Sequence, residues 1–157
     1  LLDKALAAFE KLEDREWQAK ALMRLGWLSQ ERKNHKQAAF YLERAVSSAQ
    51  EIESETLALE CQSYLIVSKL ALHQTEEAQA LAEKMARRLE GSPPGYYLVA
   101  VNYRLYQAFC ALGQSKRAEG YLKRAYDDLL ELYLGLKNEE FRKSFWHVRL
   151  HRQVRRA

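Results

Sequence analysis

Shifted against itself by 40 residues, the sequence places Leu25 on Leu65 and Leu105, and Ala38 on Ala78 and Ala118. The register extends to both sides. Leu42, Ala82 and Leu122 share a column, as do Ala45, Met85 and Ala125, then Tyr41, Leu81 and Tyr121, and the basic residues Arg44, Lys84 and Arg124. A fixed period of about 20 to 50 residues belongs to a chain whose units cannot bury their apolar faces alone and do so by stacking. The repeat therefore points to a solenoid.

Inside each unit the apolar spacing is helical. Leu22, Leu25 and Leu28 form one face of a first helix, and Ala38, Leu42 and Ala45 one face of a second. Residues 31–36 between them are polar, with Asn34 placed for a turn. In the third unit the same turn holds Gly113, followed by Ser115 as the expected N-cap. With only 6 Gly and 2 Pro in 157 residues, little interrupts helix anywhere. The one strong break is Gly91, Ser92, Pro93, Pro94, Gly95, expected to be a surface connection. The small Ala that opens each second helix lets two antiparallel helices approach closely, where a bulky side chain would wedge them apart.

Leu22, Leu25, Gly26, Ala38, Leu42 and Ala45 resemble the tetratricopeptide repeat pattern of large, Leu, Gly, then Ala, large, Ala. The third unit keeps Leu105, Gly113, Ala118, Leu122 and Ala125, with Tyr106 in the Gly column. The second keeps Leu65 and Ala78 but has Ile66, Ala82 and Met85 at the other positions. Ala5, Phe9 and Leu12 repeat the second-helix signature. The resemblance implies an all-α fold, a right-handed superhelical solenoid of antiparallel helix hairpins. Its expected parts are the second helix of a partial repeat (1–12), repeats at 14–54, 55–90 and 96–136, and a basic capping helix and tail (138–157). Repeats of the family run about 34 residues. Here the spacing lengthens to 40, which adds over a turn and a half of helix per hairpin. Such long hairpins are similar to the helical arrays of large bacterial signalling ATPases and transcription regulators. Leu1 already lies in a helical pattern and is not Met, so a piece of a longer protein is expected.

The tail has its own character. The chain carries a net charge of +4, yet the last sixteen residues hold Arg142, Lys143, Arg149, Arg152, Arg155 and Arg156 and no acid, leaving −2 for the rest. Phe141, Phe145 and Val148 form a stripe that would cover the last hydrophobic face of a solenoid. Arg142, Ser144, Phe145, Val148, His151 and Arg152 resemble the closing segment that follows such repeats in bacterial multidomain regulators, although a Pro common after the Val is replaced by Arg149. Interleaved with Phe145 and Trp146, the same cations would suit nucleic acid or an acidic surface, which is the alternative reading.

Nothing in the sequence assembles a catalytic site. No Ser or Cys has a base and an orienting group at useful spacing, and no glycine-rich phosphate loop is present. Cys61 and Cys110 fall in helical patterns and read as buried structural thiols, which argues for a reducing, cytoplasmic setting. His147 and His151 stand four apart but lack a carboxylate or thiolate partner, so neither metal nor cofactor is expected. His35 and His73 fall at hairpin turns and read as solvated. No apolar stretch reaches the roughly 18 residues that span a bilayer. Enzymatic activity is not expected.

The resemblance instead implies partner binding on a concave face formed by first-helix residues that do not face their own hairpin partner. These are Lys20, Met23, Trp27 and Gln30, then Glu60, Ser63, Tyr64 and Val67, then Tyr103 and Gln107. Trp27 and Tyr103 are of the type enriched at binding hot spots. The lysine and asparagine clamp that grips chaperone C-termini in this family is absent as a set, since its first-helix columns hold Met23 and Trp27. Lys20 and Arg104 are left for isolated contacts. The expected partner is a protein or peptide. Self-association through Leu6, Phe9 and Leu12 is a third expectation.

Overall fold

A computed structural model describes residues 4, 7, 14–91 and 96–157. Leu6, Phe9 and Leu12 of the expected half-hairpin, and residues 92–95 of the expected break, lie outside the described residues. Among the described residues the chain forms helices and no strand. The helices are α1 (Arg15–Glu31), α2 (His35–Glu51), α3 (Glu55–Ala71), α4 (Thr75–Arg88), α5 (Tyr96–Ala111), α6 (Ser115–Gly135), α7 (Glu139–Phe145) and α8 (Arg149–Arg156). None is long and apolar enough to cross a membrane.

Helix starts at 15, 35, 55, 75 and 115 reveal a half-period of twenty residues beneath the forty-residue repeat. One turn is used each time. The N–H groups of Asn34, Ser54, Gln74 and Gln114 reach back to the carbonyls of Ser29, Ala49, Lys69 and Phe109 at 2.8–2.9 Å. Those of Lys33, Glu53, His73 and Gly113 bond to the carbonyls of Gln30, Gln50, Leu70 and Cys110 in the matching inner position, each within its own turn. This paired closure is the Schellman motif, which needs a left-handed residue just past the helix end. Lys33, Glu53 and His73 adopt φ of 55–60° and Gly113 φ of 72°. Only the last is a glycine, so three turns hold a side chain at a cost of about 1 kcal/mol each. The residue after each left-handed one starts the next helix. Asn34 accepts the Gln37 N–H at 3.2 Å, and Asp14 likewise accepts that of Trp17 at 3.1 Å. Ser115 is the first helical residue and not the N-cap, because the turn places Gln114 at that position.

The chain divides into two compact units, Leu1–Arg87 and Arg88–Ala157. In the first, α1 packs against both α2 and α3, and Leu81 of α4 closes on the same core. Ala38, Leu42 and Ala45 are wholly buried there. Gly26 lies against Leu42, close enough that a Cβ on residue 26 would sit 2.5 Å from Leu42 Cγ. The glycine thus sets the α1 to α2 distance. Lys69 of α3 is 8% exposed, and its Nζ lies 3.2 Å from Glu43 of α2 and 2.7 Å from Glu77 of α4.

In the second unit α5 and α6 form a hairpin, with Phe109 stacked on Tyr121 at 5.3 Å, and α8 returns onto α6. Val99, Ala125, Leu129 and Val154 make its core, joined by Phe145, Trp146 and Leu150. The tail is two short helices and not the single capping helix expected. Val148 is extended (φ −62°, ψ 133°) and breaks the run. A continuous helix would bury Phe141, Phe145 and Val148. The break leaves Phe141 and Val148 exposed and instead buries His151 and Val154 beside Phe145 and Trp146.

Candidate functional site

The first-helix residues fall into two classes. Met23, Ser63 and Tyr64 are buried and present no surface to a ligand, contrary to expectation. Their positions face away from the partner helix of their own hairpin, yet that side is closed to solvent. Gln30 makes a direct contact between first helices: its Nε2 donates to Tyr64 O and to Ser68 Oγ, both at 2.7 Å. Gln30 is therefore a fastener between α1 and α3.

Lys20, Trp27, Glu60 and Val67 remain partly exposed. Residues 20 and 27 lie two turns apart on one stripe of α1, and residues 60 and 67 occupy the equivalent stripe of α3. Lys20 Nζ pairs with Glu16 at 2.5 Å and sits 4.6 Å from the centre of the Trp17 ring. One edge of Trp27 packs on the core. In the second unit Tyr103 packs partly on its core, and burial holds its phenol above the usual range. Gln107 is exposed.

The basic tail is less free than its sequence reads. Arg142 Nε donates to Leu136 O at 2.7 Å and its guanidinium lies 5.8 Å from the Tyr133 ring, so it closes the C-terminal end of α6. Arg155 lies 5.5 Å from the Trp146 ring, and Trp146 is itself packed against Tyr133 at 5.5 Å. Lys143, Arg149, Arg152 and Arg156 are exposed. His147 falls in the turn and His151 in α8, so the two imidazoles do not share a helix face. Burial pulls the His151 pKa down, partly offset by its Nδ1–H donating to Phe145 O at 2.7 Å. His73 is exposed, while His35 is half-buried with Nδ1 enclosed.

Two clefts that the sequence reading missed lie at the open ends of hairpins. One, of about 370 Å³, is lined by residues of α1 and α2, and the other, of about 350 Å³, by residues of α5 and α6 with Leu89 and Gly91. In the second, Asn102 Nδ2 donates to Asp128 Oδ2 at 3.3 Å. Burial holds the Asp128 pKa up, and the charges of Glu131 and Asp127 push the same way against Asn102 and Arg124. Asp127 and Asp128 look like an ordinary solvated face. The available signal was Asn102, a polar residue in the column of Leu22.

The two cysteines differ. Cys61 is buried, and burial, aided by the Glu60 charge, pushes its thiol up to about 12. Cys110 is exposed, which corrects the expectation that both are core thiols. It stands in the last turn of α5, at the open rim of the turn to α6. Iodoacetamide at neutral pH is therefore expected to alkylate Cys110 alone in the native chain, and Cys61 only after denaturant is added. Intact-mass measurement of the products checks this, and double labelling of the native chain would contradict it.

Among the described residues no group of three His, Cys, Asp or Glu is placed to hold a metal ion. Compared with family models, curated proteins and solved structures, the chain finds no match.

Proposed function

We propose that the chain is a non-catalytic scaffold, a tetratricopeptide-like array of helical hairpins that holds a peptide or a neighbouring domain within a larger bacterial regulator. The observation that carries this reading is the single turn type that recurs at Lys33, Glu53, His73 and Gly113, spaced by multiples of twenty residues. The lateral fastening of α1 to α3 by Gln30 supports it, because first helices joined side by side leave a shared outer surface. On that surface Lys20, Trp27, Glu60 and Val67 offer one cation, one anion and two apolar contacts. Two residues of a type able to bear chemistry have structural uses instead: Cys61 is held protonated and His151 packs in a core.

The alternative, nucleic acid on the basic tail, is the weaker reading. Stacking on bases needs free aromatic faces, whereas Trp146 is half-buried and in contact with Tyr133, Phe145 and Arg155. Arg142 is occupied as well.

A displayed library of random twelve-residue peptides selected on the immobilised chain tests the scaffold reading. Enriched peptides should lose about tenfold in affinity with Glu60→Lys or Val67→Glu, since a central interface contact is worth over 1 kcal/mol. Phe40→Ser, on α2 and 55% exposed, should leave them unaffected. No enrichment, or equal loss in all three variants, would remove the assignment.

A further inference from the structure

The third hairpin carries a chemically distinct version of a cleft that the fold builds twice. The cleft of the first hairpin is lined by Gln18, Leu22, Arg44, Ser47, Ser48 and Glu51. Eighty residues on, the equivalent positions hold Leu98, Asn102, Arg124, Asp127, Asp128 and Glu131. A leucine has become an asparagine and two serines have become two aspartates. The middle hairpin has Lys84, Arg87 and Arg88 in the same register. Hairpin packing therefore does not dictate the charge there, and each unit is free to set its own.

Two further observations mark the acidic version as a site. Asn102 is 4% exposed and lines the cleft, yet while its Nδ2 serves Asp128, its Oδ1 receives no donor. A leucine in that column, as in the first hairpin, would avoid leaving a buried acceptor unmet. The carboxylates also outnumber the cations beside them. Lys123 pairs with Asp127 at 2.6 Å, and Arg124, whose charge acts on Asp128, lies 5.4 Å from the Tyr121 ring, against the three acids Asp127, Asp128 and Glu131. Glu131 stands three and four residues from Asp128 and Asp127, the spacings at which side chains of one helix are neighbours.

We propose that this cleft binds an organic cation, an ammonium or guanidinium group carried on an alkyl stem. Asp128, Glu131 and Asp127 face the charge, and Leu89 and Leu98 take the stem. A volume of about 350 Å³ suits such a group. A bare metal ion does not fit, because three carboxylates along one helix do not converge on a point, and no metal-holding group occurs among the described residues. The cation is either a free polyamine or the basic side chain of a peptide. The inference stands apart from the scaffold reading, since it concerns a different surface.

The test is a titration of the ¹⁵N-labelled full chain at constant ionic strength, with spermidine in one arm and blocked Gly-Arg-Gly and Gly-Lys-Gly peptides in the other. The Asn102 side-chain amide is the reporter. Saturable shifts of that amide are expected. Asp128→Asn should weaken binding about fivefold, the worth of one partly exposed charge pair. Asp127→Ser with Asp128→Ser restores the first hairpin's residues and should abolish saturation with helicity retained. Glu119→Gln, on the exposed face of α6, should change nothing. Saturation by spermidine alone assigns a free amine, and by the peptides alone a side chain. Linear shifts in both arms, or unaltered binding by Asp128→Asn, would overturn the proposal.

Discussion

Gly26→Ala is expected to destabilise the first unit by about 1–3 kcal/mol, although helix propensity alone predicts the opposite sign. In an exposed helix interior, alanine is favoured over glycine by roughly 1 kcal/mol. Packing reverses this. A Cβ at residue 26 would meet Leu42 Cγ at 2.5 Å and Cδ2 at 2.7 Å, and Leu42 is wholly buried, so it has no open space to retreat into. The added methyl group must push α1 from α2, and overpacking of that kind costs about 1–3 kcal/mol. Gly120→Ala supplies the contrast. Nothing lies within 4 Å of a Cβ at that exposed position of α6, so the same substitution should stabilise by about 0.5–1 kcal/mol. Urea midpoints measure both. Adding Leu42→Ala to Gly26→Ala should cost less than the sum of the single changes, because the smaller side chain relieves the clash. Equal gains from both glycine substitutions would show that the α1 to α2 distance is soft.

Lys69→Ala is expected to cost about 1–2 kcal/mol, through two charge-assisted hydrogen bonds and a buried stem. The side chain of Lys69 is 11% exposed and joins three helices through Glu43 and Glu77. The cost stays below the roughly 3–5 kcal/mol of a broken buried pair, because Glu43 and Glu77 are 56% and 58% exposed and remain hydrated. Lys69→Met keeps the stem and should recover about half. The pH dependence separates charge from packing. Burial by itself lowers the Lys69 pKa, but the hydrogen bonds and attraction of Glu77 and Glu43 outweigh it and hold it above the ordinary lysine value. The folded chain therefore binds this proton more tightly than the unfolded chain does. The contact's stabilisation is complete below the ordinary lysine value and drains away as pH rises through the higher folded one. Urea midpoints taken from pH 8 upward should fall less steeply for Lys69→Met than for the parent. Parallel curves would show that the charge contributes nothing.

Much of this architecture was legible without coordinates. The columns of Ala38, Ala78 and Ala118, and of Leu25, Leu65 and Leu105, are all buried, because apolar periodicity records which side of a helix avoids water. Helix identity followed from the same pattern and from the scarcity of Gly and Pro, whereas of the expected tail stripe only Phe145 packs on a core, and Phe141 and Val148 are exposed. Periodicity does not say which neighbour covers a face. Met23, Ser63 and Tyr64 were taken for groove residues because they turn from their hairpin partner, and packing with other helices buries them. Lys69 is the sharpest instance. It occupies a column buried at 29, 49, 69, 89, 109 and 129, where a lysine reads as a surface residue until Glu43 and Glu77 come into view. Local sequence was equally silent at Lys33, Glu53 and His73, whose left-handed backbone is imposed by helices on either side and not by their own preference. The sequence by itself thus determined the repeat, the helices and their apolar sides. Tertiary structure alone decided what each side meets, because burial, pairing and charge balance belong to residues brought together from distant turns.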